Sequence, residues 1–182
     1  MPDLQLHERF ISLLEKHVGI ILKISKAYTN TLQDREDLVN DIAYEIWKAF
    51  PNFKGNSKVS TWLYRIALNT AMNYKRTTRK KWEFIQTAIE IHSNEPSGEA
   101  DPDPQIELLY DWIAELDEFN KALILLYLDG YRHDEIAEIT GISKTNVGTR
   151  ISRIKEQLRN MVIAKQVDYG TWWIKVCLDT AW

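Results

Sequence analysis

Only one of the 182 residues, Cys177, is a cysteine, which excludes an intrachain disulfide framework and a multi-cysteine zinc site and fits a reducing compartment. Glycine is also scarce, at 7 residues where average usage near 7% gives roughly 13. A turn-dense all-β protein would need more, so helices are favoured before any pattern is read. Long apolar runs are missing too. The longest, Ala122 to Leu128, is far too short to cross a bilayer, and the opening MPDLQLHERF lacks the basic-then-apolar layout of a signal peptide. These absences lead to the expectation of a soluble, cytoplasmic protein without stable membrane insertion. An excess of positive charge is absent as well: 23 Lys and Arg face 26 Asp and Glu, for a net charge of -3. Taken alone, that total argues against a nucleic-acid partner.

What is present is helical periodicity. Phe10, Leu14, Val18, Ile21 and Tyr28 give residues 5 to 29 an apolar face at helical spacing. Asp34 is expected to cap a second helix with Leu38, Ile42, Ile46 and Phe50 on its inner face, closed by Pro51. Asn52 to Val59 reads as a loop. Ser60 is expected to cap a third helix carrying Trp62 or Leu63, Ile66, Ala67, Thr70 and Tyr74 on its stripe. Periodicity then fades, and EPSGEADPDP (95 to 104) has the composition of a flexible acidic linker. Beyond it, Asp103-Pro104 starts a helix with Ile106, Leu109, Ile113 and Leu116 facing inward. Another helix runs from Glu118 to Asp129 and ends at Gly130.

Residues 133 to 159 have the spacing of a helix-turn-helix. Ala137 is small where two helices approach, Gly141 suits the turn, and Ser143 can cap the second helix. Val147, Ile151, Ile154 and Leu158 form its inner stripe. Lys144, Thr145, Asn146, Thr149, Arg150 and Arg153 form the opposite face, with side chains able to reach base edges and phosphates in a major groove. The same spacing also suits a plain three-helix unit with a solvated basic face.

Charge is sharply segregated. Lys54, Lys58, Arg65, Lys75, Arg76, Arg79, Lys80 and Lys81 occur without an intervening acid, a local +8. Residues 90 to 118 carry ten acids and no Lys or Arg, and residues 141 to 160 carry five basic residues against Glu156. Two basic helical segments around an acidic stretch suggest two anion-binding surfaces. Phe53, Trp62, Tyr64 and Tyr74 lie within the first basic segment, where rings can stack on unpaired bases while cations hold the backbone. Trp62 and Tyr74 read more readily as core residues, and Phe53, beside Lys54 and Gly55, as the ligand-facing ring.

In these blocks the chain strongly resembles the extracytoplasmic-function (ECF) class of RNA polymerase sigma factors. The resemblance rests on DREDLVNDIAYEIWKAFPNFKG (34 to 55), STWLYRIALNTAMNYKR (60 to 76) and GYRHDEIAEITGISKTNVGTRISRIKEQL (130 to 158). It implies an all-α protein of two small helical domains joined by a flexible acidic linker, the second domain with a helix-turn-helix. Residues 1–82 would bind core polymerase and recognise and melt the minus-10 element. Residues 83–103 would be the linker, threading the polymerase cleft, and residues 104–160 would read the minus-35 element. Residues 161–182, with Tyr169, Trp172, Trp173 and Trp182, form an extension that could pack on its own domain, engage a regulator or shield DNA-binding surface.

Residue by residue, the resemblance implies that Asp37, Leu38, Asp41, Ile42 and Glu45 dock on the polymerase. It implies that Phe53, Lys54, Gly55, Asn56 and Ser57 capture a flipped minus-10 base together with Asn69. Lys75, Arg76, Arg79 and Lys80 would then track promoter phosphates. The implied partners are core RNA polymerase, promoter DNA as minus-35 duplex and melted minus-10 strand, and an anti-sigma factor. Gly148, inside the second helix of the helix-turn-helix, departs from good helix-forming sequence and costs roughly 1 kcal/mol relative to Ala. It could permit close approach to DNA or merely weaken the helix.

One alternative is a helix-turn-helix regulator that binds duplex DNA without polymerase, but it leaves the basic-aromatic block unused. An enzyme is not expected. His7, His17, His92 and His133 are scattered without metal-ligand spacing, no phosphate-binding loop or nucleophile elbow occurs, and no cofactor or metal is implied.

Overall fold

The structure, a computed structural model, describes residues 2–77 and 104–164, with side chains described over 5–74 and 106–161. The described residues are helical without a strand, as the scarcity of glycine suggested. The chain divides into two compact units, Met1–Asn94 and Glu95–Trp182, and their boundary falls inside the stretch expected to be the linker.

The first unit is built from α1 (Pro2–Tyr28), α2 (Leu32–Ala49), a single 3-10 turn (Phe50–Asn52) and α3 (Val59–Thr77), and the three helices pack on one another. The inner stripe of α1 is Phe10, Leu14, Ile21, Ile24 and Tyr28. Val18, expected on that stripe, is 38% exposed, because seven residues separate Leu14 from Ile21 and the position that completes the stripe between them is His17. Leu38, Ile42, Ile46 and Phe50 are buried as their spacing indicated. Phe10 fills the space between Phe50 and Trp47, with ring centroids 5.7 and 4.9 Å away.

Two expected caps fall two or three residues off. Thr31, not Asp34, caps α2: its Oγ1 accepts from the Asp34 backbone N–H at 3.1 Å and donates to Asp34 Oδ2 at 2.7 Å. Asp34 therefore sits in the first turn, where a carboxylate opposes the helix dipole favourably. α3 starts at Val59, and its first bond, from Trp62 N to Lys58 O, leaves Ser60 inside the helix. The buried face of α3 is Leu63, Tyr64, Ala67, Leu68, Ala71 and Tyr74, whereas Trp62, Ile66 and Thr70 lie at its margin.

The second unit comprises α4 (Pro104–Ala114), α5 (Glu118–Leu128), α6 (His133–Thr140) and α7 (Lys144–Ala164). α4 begins at Pro104 as expected, while its proposed cap Asp103 lies outside the described residues. On α4, Leu109, Trp112 and Ile113 are buried, but Ile106 is 40% exposed. α5 is the centre: every residue from Lys121 to Tyr127 is buried, against α4, α6 and α7. Asp117 caps it, accepting from Phe119 N and Asn120 N. Gly130, at φ 79°, ends it with Tyr131 N bonded to Leu126 O and Gly130 N to Tyr127 O, a left-handed closure that glycine adopts without a Cβ clash. Gly141, at φ 76°, makes the turn between α6 and α7. Among the described residues no helix is long and apolar enough to cross a membrane, and no group of three His, Cys, Asp or Glu is placed to hold a metal.

Candidate nucleic-acid interface

In the first unit, the 3-10 turn forced by Pro51 delivers the chain into an exposed loop. Lys54, Gly55, Asn56 and Lys58 are exposed, Phe53 and Ser57 half-buried, and Gly55 takes a left-handed φ of 72°. Phe53 folds back on α3, where its ring lies 4.6 Å from that of Trp62 with planes 32° apart. Trp62 is thus not a core residue, as its place in the sequence suggested, but half of a surface ring pair. Asn69 is exposed two turns further along the same face, since seven residues nearly complete two turns of 3.6. Asn73 continues this face, and its Nδ2 donates to the Asn69 carbonyl at 2.8 Å. The loop and the 62, 66, 69 and 73 face of α3 are therefore contiguous. Lys75 and Arg76 fall in the last turn of α3 with side chains outside the described set, and Arg79 and Lys80 lie outside the described residues. Tyr74 is in the core as expected, its hydroxyl 3.5 Å from Asp34 Oδ1.

The residues expected to dock on a partner separate into two groups. Leu38 and Ile42 are fully buried and hold the bundle together, so a partner cannot touch them without opening it. Asp37, Asp41 and Glu45 are half-exposed along the margin of that packed face of α2. Burial pushes the Asp37 carboxyl above its usual range, and repulsion from Asp34, Asp41 and Glu36 adds to it. Burial also pushes the Tyr74 phenol up to about 12, reinforced by Asp37, Asp34 and Asp41. Like charges therefore crowd around Asp37, while Glu45 already pairs with Lys48 at 3.5 Å.

In the second unit, Ser143 caps α7 by accepting from Asn146 N at 3.3 Å, and the helix presents two clean faces. Val147, Ile151, Ile154 and Leu158 are at most 2% exposed. Lys144, Thr145, Asn146, Thr149 and Arg153 are exposed on the other side, so the structure brings five of the six expected readers together. Thr149 Oγ1 donates to the Thr145 carbonyl at 3.0 Å. Arg150 is the exception. It is half-buried, with its guanidinium carbon 5.2 Å from the Phe119 ring centroid and Nη1 3.5 Å from Asn120 Oδ1. Gly148 lies beside His133, whose Nδ1 is 3.5 Å from where a Cβ would stand, so this glycine relieves no clash within the unit.

The start of α6 is fixed by charge. Glu135 Oε2 accepts from Arg132 N at 3.0 Å, and the Arg132 guanidinium reaches Asp134 at 2.9 Å. Backbone N–H donation at this helix start, helped by Arg132 and Lys144, holds the Asp134 carboxyl below its usual range. The surface place of Trp62 departs from the core place expected of it. The available signal was a second stripe at 62, 66, 69 and 73, helical in period and polar toward its end.

The family model for Sigma-70 region 2 matches residues 13–81, and that for Sigma-70, region 4 matches residues 106–158. The chain is 30% identical over 141 residues to the ECF RNA polymerase sigma-E factor of Escherichia coli strain K12, covering 71% of this chain and 74% of that protein. It is 32% identical over 141 residues to the sigma-E factor of Haemophilus influenzae, covering 71% and 75%. Among solved structures, CnrH in complex with the cytosolic domain of CnrY matches with a TM-score of 0.61 at 21% identity, covering 88% of this chain and 94% of CnrH. That last likeness is one of fold.

Proposed function

The chain belongs to the ECF class of RNA polymerase sigma factors, which direct promoter-specific transcription initiation, and from that premise we propose how its surfaces divide the work. The observation that carries the proposal is the pair of contiguous faces, one in each unit: the loop with the outer side of α3, and the outer side of α7. A regulator reading duplex DNA alone would need only the second.

Asp37, Asp41 and Glu45 meet a cationic surface of core polymerase. The repulsion that Asp34, Asp41 and Glu36 exert on Asp37 falls when that surface arrives, which adds a favourable difference on binding. Lys144, Thr145, Asn146, Thr149 and Arg153 enter the major groove of the minus-35 duplex. Short polar side chains there suit base edges, and the flanking cations suit phosphates.

Phe53, Lys54, Gly55, Asn56, Ser57 and Asn69 receive a base from the melted minus-10 strand, with Lys75, Arg76, Arg79 and Lys80 following the backbone. Extruding a base costs a few kcal/mol, and stacking returns about 1–3 kcal/mol per base, so a ring platform with a few polar contacts is sufficient and no catalytic group is required. The left-handed Gly55 and the exposed loop leave backbone N–H groups near the surface. Residues 1–82, 83–103 and 104–160 serve as melting domain, linker and minus-35 domain, and the protein acts in the cytoplasm. CnrH is held with the cytosolic domain of CnrY in its solved complex, and by that likeness an anti-sigma partner is part of the proposal.

The test is reconstitution. Purified chain and core polymerase are mixed on fragmented genomic DNA, and transcript 5′ ends are mapped. Defined starts that appear only with both components support the reading. Absence of a stable complex with core polymerase would end it.

A further inference from the structure

We propose that Arg150 is a positioning residue that sets how the recognition helix α7 sits on the start of α5, and that it does not contact a DNA phosphate. The proposal rests on the minus-35 reading above.

The argument begins with place on the helix. Arg150 follows Val147 by three residues and precedes Ile154 by four, and both of those are buried, so its Cβ leaves α7 at the edge of the packed face. Its neighbours Thr149 and Arg153 are exposed; Arg150 is not. The side chain runs to the start of α5, where its guanidinium carbon lies 5.2 Å from the Phe119 ring centroid. Nη1 makes a long hydrogen bond of 3.5 Å to Asn120 Oδ1.

Asn120 is itself committed. Its Nδ2 donates to Asp117 Oδ2, and the same carboxylate caps α5 through Phe119 N at 3.1 Å and Asn120 N at 2.9 Å. One guanidinium from α7 is thus joined, through one amide, to the cap of the central helix. The arrangement needs a planar cation: guanidinium can lie on a ring and direct an N–H to a fixed acceptor at once, which an ammonium does less well. Swinging Arg150 to a phosphate would give up both contacts. Since α5 is enclosed by the other helices, holding α7 to its cap fixes the tilt with which Thr145, Asn146 and Thr149 approach base edges.

The test uses the full chain and two duplexes of equal length, one carrying the mapped minus-35 element and one scrambled, titrated over a range of salt. Arg150→Ala and Arg150→Lys should each reduce discrimination between the duplexes about 5- to 10-fold, as expected for loss of a cation–ring contact and a hydrogen bond, with unchanged salt slope. Phe119→Ala should do the same, and Arg150→Ala combined with Phe119→Ala should be no worse than either alone. Arg153→Ala serves as the phosphate control and should lower the slope by about 0.9.

Loss of about 0.9 in slope for Arg150→Ala, with wild-type slope and discrimination for Arg150→Lys, would identify a phosphate contact and overturn the proposal. A lowered thermal midpoint with unchanged discrimination would reduce Arg150 to a stability role and overturn it as well. A wild-type chain that fails to discriminate, with no slope change in Arg153→Ala, would instead refute the minus-35 reading and take this proposal with it.

Discussion

The Phe53 ring rests on the Trp62 ring at 4.6 Å between centroids, joining a loop residue to the helix that follows it. The contact anchors the loop on α3 and leaves Lys54, Gly55 and Asn56 projecting from it. Under the proposed function, a base entering this loop either stacks on the outer side of the pair or displaces Phe53 from Trp62. In both cases Trp62 takes part.

Replacing either ring by alanine should therefore impair melting while sparing the closed complex. Stacking is worth about 1–3 kcal/mol per base, so Trp62→Ala and Phe53→Ala should each lower the open-complex equilibrium constant roughly 5- to 150-fold. Permanganate footprinting of unpaired thymines beside gel-shift measurement of the closed complex separates the two steps. Normal melting by both variants would refute the base-pocket assignment.

Asp37 should respond to neutralisation in opposite senses for stability and for binding. Its carboxyl titrates above its usual range through burial and the surrounding Asp34, Asp41 and Glu36. A raised carboxyl destabilises the folded chain while ionised, and the penalty disappears as pH falls through its folded pKa. Asp37→Asn should accordingly raise stability at neutral pH, by less than about 0.5 kcal/mol and read as a higher thermal midpoint, and the gain should vanish in acid. The same variant should bind core polymerase more weakly. Tighter binding would show that this side of α2 does not meet a cationic partner.

Tyr74 gives an alkaline signature. Its phenol is held up at about 12 against an ordinary 10, first by burial and then by the three aspartates. The folded state thus keeps a proton that the unfolded chain releases. The associated stability is complete below pH 10 and is lost as pH rises toward 12. Two pKa units correspond to at most about 2.7 kcal/mol. Denaturant titrations of wild type and Tyr74→Phe at pH 9 and pH 11 isolate this part of the pH dependence, which should be smaller in the variant. Parallel curves would show that Tyr74 ionises freely.

Gly148 sits mid-helix with room for a methyl group against His133, at ordinary van der Waals distance. Gly148→Ala should then stabilise the second unit by about 1 kcal/mol. Differential scanning calorimetry should place the midpoint a few degrees higher, since 1 kcal/mol moves a domain of this size by roughly 4–8 °C. If promoter binding falls at the same time, the glycine serves close approach to DNA. If neither quantity changes, helix propensity at this position is not limiting.

Much of this architecture was legible because it follows from period and punctuation. The 38, 42 and 46 stripe of α2, continued by Phe50 in the 3-10 turn, and the 147, 151, 154 and 158 stripe of α7 fall where their spacing puts them, and Gly130 and Gly141 end their helices in left-handed geometry. The differences have a common cause: the angle around the helix, not residue type, decides which side chain faces the core. Val18 looked like a core residue and His17 did not, yet position 17 completes the α1 stripe. Trp62 looked buried by size, while Leu63 beside it took the core position. Conversely Trp112, wholly buried on α4, went unread because Leu109, Ile113 and Leu116 already satisfied the pattern. The place of Arg150 depends on Phe119 and Asn120, thirty residues away, and no local pattern carries such a relationship.

The enclosure of α5 bears on how such a protein can change its target. Seven consecutive buried residues on that helix, from Lys121 to Tyr127, hold the second unit together, while the outer face of α7 supplies none of its core. Substitutions at positions 145, 146, 149 and 153 are thereby decoupled from folding. On the proposed minus-35 reading, a lineage, or an engineer, could then retarget such a protein one exposed side chain at a time, with the intermediates still folded and selected on DNA preference alone.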